Sequence, residues 1–379
     1  MNMAMILAAA VISTEPIANP DFLEPSVENE VRQTLTTATK FKKALDSREE
    51  KGDDFVDAFV KGLSRSDAAI KLVSAFDAKT GCWREIRDGV TNNFTIAAMK
   101  RLDSYLGVKP LKVLGIGNSF TISLQAFWPN VARECGTPMQ YAVLYIGGCE
   151  LSRHAENIDK AAADPSFKPY AIYQNYCGRR HTRLKSNIQE MLKADRWDVV
   201  TIQQASHESW RWESYPEAAA KLVATIRELA PQAKIVVQQT WSYSNYDKRI
   251  CDPEKGGAGT WGFDQTGMYE RLRDCYDRIA KTCGFEVIRV GDAVQAFRRG
   301  YPVKETAQDV VGSRETDDKG KVQCDPIHLN SRGQFLQALV WQKFFFPKSD
   351  YLSAIHPGDS RLPKKDDGFY RTLKDCLER

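Results

Sequence analysis

A serine hydroxyl attacks a carbonyl only when a neighbouring base takes its proton, and an imidazole serves best when a carboxylate holds its other ring nitrogen. Residues of these types recur at telling places in this sequence. Ser119 lies in Gly117-Asn118-Ser119-Phe120, directly after an apolar run. Asp325 and His328 stand three residues apart in Cys324-Asp325-Pro326-Ile327-His328-Leu329. Acyl transfer also needs preorganised donors for the charge that develops on the carbonyl oxygen. The backbone N–H groups of Ser119 and of Gly148, in Gly147-Gly148-Cys149, are candidates, together with one side-chain amide. A glycine there lets the backbone approach a substrate with no Cβ in the way.

These segments can act together only if the fold brings them to one place. Leu111–Ile116, Tyr141–Tyr145, Asp198–Ile202, Lys234–Gln238 and Glu286–Val290 read as short apolar strands. Helical patterns lie between them, over 124–134, 183–194, 215–229, 267–282 and 331–346. Continuous apolar strands alternating with helices predict a parallel sheet covered on both faces, an α/β/α three-layer sandwich. In such a sheet ligands bind at the carboxyl ends of the strands. The chemistry-bearing segments all follow strands or, for Asp325 and His328, precede the last long helix.

The rest of the chain bounds the reading. The 379 residues carry 53 Lys and Arg against 49 Asp and Glu, a net charge of +4. So even a balance, without basic blocks, argues against a nucleic-acid partner. The nine cysteines include no CxxC pair, which argues against a zinc ribbon or a thioredoxin-like site. Cys149, His154, Cys177 and His181 are ligand types in no recognised zinc spacing, so no metal is expected. Residues 16–108 form a helical N-terminal region, with apolar stripes from Val31 to Leu106. Residues 109–379 form the main domain with a C-terminal tail. Residues 1–15 hold an apolar run of signal-peptide length with no Lys or Arg before it. Read as a degraded signal, it implies export to the periplasm or beyond; read as a plain apolar segment, it leaves the protein in the cytoplasm. No stretch is long enough to span a bilayer.

The ordered blocks around Ser119, Gly148, Gln203, Gln239 and His328 resemble those of the SGNH (GDSL-type) hydrolases, an esterase and lipase superfamily, in its Gly-Asn-Ser-Phe bacterial branch. The resemblance runs over roughly residues 110–346. It implies a flavodoxin-like sandwich, no metal or cofactor, Ser119 as nucleophile, Asp325 and His328 as its partners, and Gly148 as an oxyanion donor. The third block departs from the usual Gly-x-Asn-Asp; here it reads Gln203-Gln204-Ala205-Ser206-His207-Glu208. Gln204 is the preferred side-chain donor, with Gln203 and His207 as alternatives. The function implied is a serine esterase cleaving an acyl ester, with an O-acetyl group first in line, of a carbohydrate or other small substrate. The rival readings are a non-catalytic glycan-binding module and a lipase or thioesterase.

Two further expectations concern the rim. Gln203, His207, Gln239, Trp241 and Tyr243 are candidates for substrate binding, the two aromatics as faces for a sugar ring. Cys149 adjoins Gly148 and Cys324 adjoins Asp325, so the two sulfurs are expected within disulfide reach.

Overall fold

The structure is a computed structural model, and it describes residues 51–63, 95–105, 108–177, 179–252, 257–301, 309–316, 322–352, 354, 359–364 and 367–378. The apolar run at residues 1–15 and most of the predicted N-terminal region lie outside them. The described residues fall into two compact units, one of residues up to Pro110 with Tyr176–Arg179, the other of the remaining chain from Leu111 on.

In the first unit, helix α1 (Asp53–Leu63) packs on helix α2 (Ile96–Tyr105). Two acidic residues, Asp53 and Asp54, begin α1, where they suit the positive end of the helix dipole. Val56, Ala98, Met99 and Leu102 are buried, and Arg101 pairs with Asp57 at 2.6 Å.

The second unit is built on a seven-stranded sheet. Its strands are β1 (Leu111–Gly117), β2 (Met139–Tyr145), β3 (Tyr170–Tyr176), β4 (Arg179–Ser186), β5 (Val199–Ile202), β6 (Lys234–Gln238) and β7 (Glu286–Ile288), in the order β4-β3-β2-β1-β5-β6-β7. The pairs β1–β2, β1–β5, β5–β6 and β6–β7 are all parallel. Register follows the apolar runs: Val113 faces Tyr141 on one side and Val199 on the other. Val113, Leu114, Ile116, Val143, Leu144, Val200, Val236 and Val237 are all buried, as a sheet covered on both faces requires.

Helices form the outer layers. α3 (Ser119–Ile122) and α4 (Trp128–Glu134) follow β1. α5 (Leu151–Ala163), α6 (Ile188–Lys193) and α7 (Pro216–Leu229) pack on one another. α8 (Gln265–Cys283) packs on α9 (Val290–Gly300), and α9 packs on both α10 (Ser331–Phe345) and α11 (Asp367–Glu378); α10 in turn covers α4.

The five expected strands are present, and helices fill most of the expected ranges. The pattern missed the strands β3 and β4, the latter a run of Arg, His and Lys with no apolar stretch, and the helices α5 and α9; residues 183–186, expected in a helix, lie on β4, and Val290, expected in a strand, begins α9. It placed Asp325 and His328 only as a segment before the last long helix. They lie on β9 (Val322–Leu329), which pairs antiparallel with β8 (Val311–Thr316) in a separate two-stranded ribbon.

The chain builds outward from β1 to β4, then crosses back to β5 on the other side of β1. Strand order therefore reverses between β1 and β5, and their carboxyl ends open a crevice. The Ser119 turn and the Gln203–His207 loop leave from those two strand ends.

Candidate active site

The turn after β1 is tight. A Cβ on Gly117 would meet Thr121 Oγ1 at 2.0 Å, so only glycine fits where the chain folds onto its own helix. Asn118 caps that helix: its Oδ1 accepts from Phe120 N at 3.0 Å. The cap is thus supplied by Asn118, and the Ser119 side chain is left for other work.

That side chain meets the imidazole. Ser119 Oγ lies 2.8 Å from His328 Nε2, and His328 Nδ1 lies 2.7 Å from Asp325 Oδ2. The other carboxylate oxygen, Oδ1, accepts from Ile327 N at 2.9 Å and His328 N at 3.1 Å. Partial burial pushes the Asp325 carboxyl up, but these two amides and the His328 ring outweigh it and hold the group below its ordinary value.

The Asp325–His328 segment is held from the β6 side. Trp241 Nε1 donates to Ile327 O at 2.9 Å, Ser244 N to Pro326 O at 2.9 Å, and the Tyr246 hydroxyl to Asp325 O at 2.9 Å. Phe120 stacks on Trp241 with ring centroids 4.0 Å apart and presents its edge to His328 at 5.6 Å. On the C-terminal side Asn330 caps α10 and donates to Asp309 O and Gly312 O, tying the ribbon to the helix.

The loop after β2 adjoins the serine turn, with Ile146 N donating to Gly117 O. Gly147 and Gly148 are exposed, and Gly148 has φ +59, a left-handed conformation that favours glycine. Asn118 Nδ2 donates to Cys149 O at 3.1 Å, joining this loop to the serine turn. Among the described residues, no acceptor takes the backbone N–H of Ser119 or of Gly148. The site therefore combines a hydroxyl–imidazole–carboxylate line with two unclaimed backbone donors.

Several expected rim residues are elsewhere. Gln204 is buried and its carboxamide is fully engaged. Oε1 accepts from Leu151 N and Ala205 N, and Nε2 donates to Ser214 O and Oγ. Both amide protons are used, so Gln204 has none to offer an oxyanion. Trp241 and Tyr243 are 0% and 1% exposed, so neither can present a face to a sugar. Trp241 is core beneath the His328 segment, and the Tyr243 hydroxyl bonds Ser206 Oγ at 2.9 Å. Gln239 is buried too; it pairs with the backbone N–H and carboxylate of Asp292 at the start of α9. Gln203 is buried and donates to Asn118 Oδ1 at 2.8 Å. Amphipathic side chains serve a core and a rim equally well, and their type alone does not say which. His207 alone of this set reaches solvent. Its side chain is 39% exposed and its Nε2 lies 2.8 Å from Glu150 Oε1, two residues past Gly148. Glu150 escaped the sequence reading, although its place beside the glycine pair was a signal.

Cys149 and Cys324, expected within disulfide reach, are both free thiols, one buried and one exposed. Cys149 instead faces His154, with Sγ 3.6 Å from Nδ1, and burial pushes its thiol up to about 12. His154 Nδ1 lies 2.8 Å from the Tyr170 hydroxyl, and burial, helped by Arg153, pulls the ring down to about 3. Among the described residues no helix is long and apolar enough to cross a membrane.

A DUF4886 family protein from Bacteroides uniformis shares 23% identity over 71% of this chain and 93% of its own, with a TM-score of 0.54, and shows the same fold. A proposed SGNH hydrolase from Slackia heliotrinireducens matches at 21% identity, over 62% of this chain and 100% of that one, with a TM-score of 0.40. A proposed GDSL-like lipase from Parabacteroides merdae matches at 12% identity, over 62% and 95%, with a TM-score of 0.37. No curated protein matches the sequence. Residues 112–348, more than half of the chain, match the family model described as "Domain of unknown function (DUF4886)", and the protein belongs to that family.

Proposed function

We propose that the protein is a serine esterase working through an acyl-enzyme on Ser119. The observation that carries this reading is the unbroken line Ser119 Oγ–His328 Nε2–Asp325, with the backbone N–H groups of Ser119 and Gly148 left without an acceptor among the described residues. His328 Nε2 takes the serine proton as Oγ attacks the acyl carbon. Asp325 fixes the tautomer with the proton on Nδ1 and stabilises the imidazolium that forms. The oxyanion is held by the N–H groups of Ser119 and Gly148, each such donor lowering the barrier by about 3 kcal/mol. His328 returns its proton to the alkoxide, the alcohol leaves, and water then repeats the cycle on the acyl-enzyme.

The substrate in this reading is a small acyl group, most simply acetate, esterified to a carbohydrate. The site's openness supports it: the side chains of His328 and Asp325 are 42% and 41% exposed, and the neighbouring Gly147, Gly148, Glu150 and His207 reach solvent. Such a polar, open rim suits a bulky hydrophilic carrier better than a long aliphatic chain. The continuous hydrogen-bond line favours an enzyme over a glycan-binding module, which has no use for an armed hydroxyl.

The test is acetate release from an activated acetyl ester and from acetylated polysaccharides. Ser119→Ala should lose at least about 10³-fold in kcat. Equal turnover by the variant overturns the esterase reading.

A further inference from the structure

Beneath the serine turn lies a row of buried carboxamides that the mechanism above does not use. Asn118, Gln203, Gln238 and Gln337 come from the ends of β1, β5 and β6 and from α10, and each is at most 2% exposed. Burying so many amides is costly unless every one is bonded. Here they bond to one another. Gln337 Nε2 donates to Gln238 Oε1 at 3.2 Å. Gln238 Nε2 donates to Gln203 Oε1. Gln203 Nε2 donates to Asn118 Oδ1 at 2.8 Å, and Asn118 Nδ2 to Cys149 O at 3.1 Å. At the far end the Ser123 hydroxyl lies 2.7 Å from Gln337 Oε1.

The sense of this row is set by the backbone. Asn118 Oδ1 must accept, because Phe120 N–H points at it, so Asn118 Nδ2 faces the Cys149 carbonyl and Gln203 must donate to Asn118. Gln238 Nε2 and Gln337 Nε2 also donate to Phe120 O, at 3.3 Å and 3.0 Å. Turning any one carboxamide over would set donor against donor or acceptor against acceptor. The bonds from one carboxamide to the next therefore all run one way, from α10 towards the Gly148 loop, and aligned hydrogen bonds polarise and strengthen one another.

We infer that this row, Gln337–Gln238–Gln203–Asn118, is a positioning device that sets the distance between the Ser119 hydroxyl and the Gly148 N–H. It locks together three segments remote in sequence: the serine turn, the Gly148 loop and the helix that follows His328. The inference rests on the esterase reading and deepens it, since only a reacting centre needs these segments fixed so closely. A misplacement of about 1 Å at such a centre can cost on the order of 10²-fold in rate.

The experiment measures steady-state kinetics on an acetyl ester and the labelling rate of Ser119 by a fluorophosphonate, alongside thermal stability. The variants are Gln238→Met, Gln337→Met, their double mutant, and the milder Ser123→Ala, which keeps the test alive if a glutamine variant fails to fold. Gln342→Met is the control. Gln342 is equally buried on the same helix and bonds Trp128, Thr137 and Ser349, away from the site. The inference expects kcat and labelling to fall roughly tenfold to a hundredfold in the glutamine variants, with KM within about twofold and a double mutant little worse than either single. Ser123→Ala should show a smaller loss of the same kind, and Gln342→Met should lose stability only. Labelling at the wild-type rate in the row variants, or an equal loss in Gln342→Met, overturns the positioning role and leaves the esterase standing. A wild-type protein whose Ser119 is not labelled and which cleaves no ester overturns both.

Discussion

Phe120 and Trp241 lie face to face, ring centroids 4.0 Å apart and planes 3° from parallel, and this stack joins the residue after Ser119 to the indole that holds the His328 segment. One aromatic pair thus couples the two halves of the site. Trp241→Phe keeps the stack but removes the donor to Ile327 O. It should cost about 1 kcal/mol in stability and lower kcat more than it raises KM. Trp241→Ala should cost about 3–5 kcal/mol by opening a cavity in the core. Denaturant unfolding and steady-state kinetics on both variants check this; an unchanged kcat in Trp241→Phe contradicts the coupling.

Gly148 offers a separation of backbone from side-chain effects. Its φ is +59, yet a Cβ there would meet nothing within 4 Å. Gly148→Ala therefore suffers no clash, only the left-handed penalty of about 1–2 kcal/mol, which the loop can relieve by shifting its N–H away. Asparagine tolerates that conformation better. Activity should rank wild type, then Gly148→Asn, then Gly148→Ala, with thermal stability nearly level. Equal activity in the two variants contradicts a role for this backbone N–H.

The buried imidazole of His154 makes stability depend on pH. Folded, it takes a proton only near about 3; unfolded, near its ordinary value of 6.5. Between those values the unfolded chain holds the extra proton, so stability is full above 6.5 and falls as pH drops towards 3, by at most about 1.4 kcal/mol per pH unit. His154→Phe keeps a ring on Tyr170 and removes the proton site. Its stability curve should be flatter over that window, which denaturant titrations at several pH values will measure; parallel curves contradict the assignment.

How much of this was legible beforehand depended on what each residue must do. The strands around Val113, Val143, Val200 and Val236 were readable because a strand buried on both faces has to be apolar throughout. Ser119, Asp325 and His328 could be singled out together because few other residue types suit acyl chemistry, and the structure brings them within hydrogen-bond reach of one another. Gln204 and Trp241 were not, since an amide or an indole is equally at home bonding a carbonyl in the core or a ligand at the rim, and only their partners Ser214 and Ile327, the latter 86 residues from Trp241, decide the matter. The amide row was invisible for the same reason: Gln203, Gln238 and Gln337 become neighbours only when β1, β5, β6 and α10 converge.

Asp325 carries the acid side of the same argument. Its carboxyl is held below the ordinary value, so the stability it contributes is present above that value and is lost as pH falls through the lowered one. Asp325→Asn should abolish this limb and, by presenting the wrong group to Nδ1, lower kcat by roughly 10⁴-fold while the fold persists. Circular dichroism and pH–rate profiles separate the two effects; a variant of near-normal kcat contradicts the role given to this carboxylate.

The most direct measurement is the intact mass of the protein after exposure to a fluorophosphonate, with the adduct mapped by peptide sequencing. One phosphonyl group should form on Ser119, quickly in the wild type, hardly at all in His328→Ala, and never in Ser119→Ala. An adduct elsewhere, or labelling of Ser119 that ignores the loss of His328, would contradict the esterase reading.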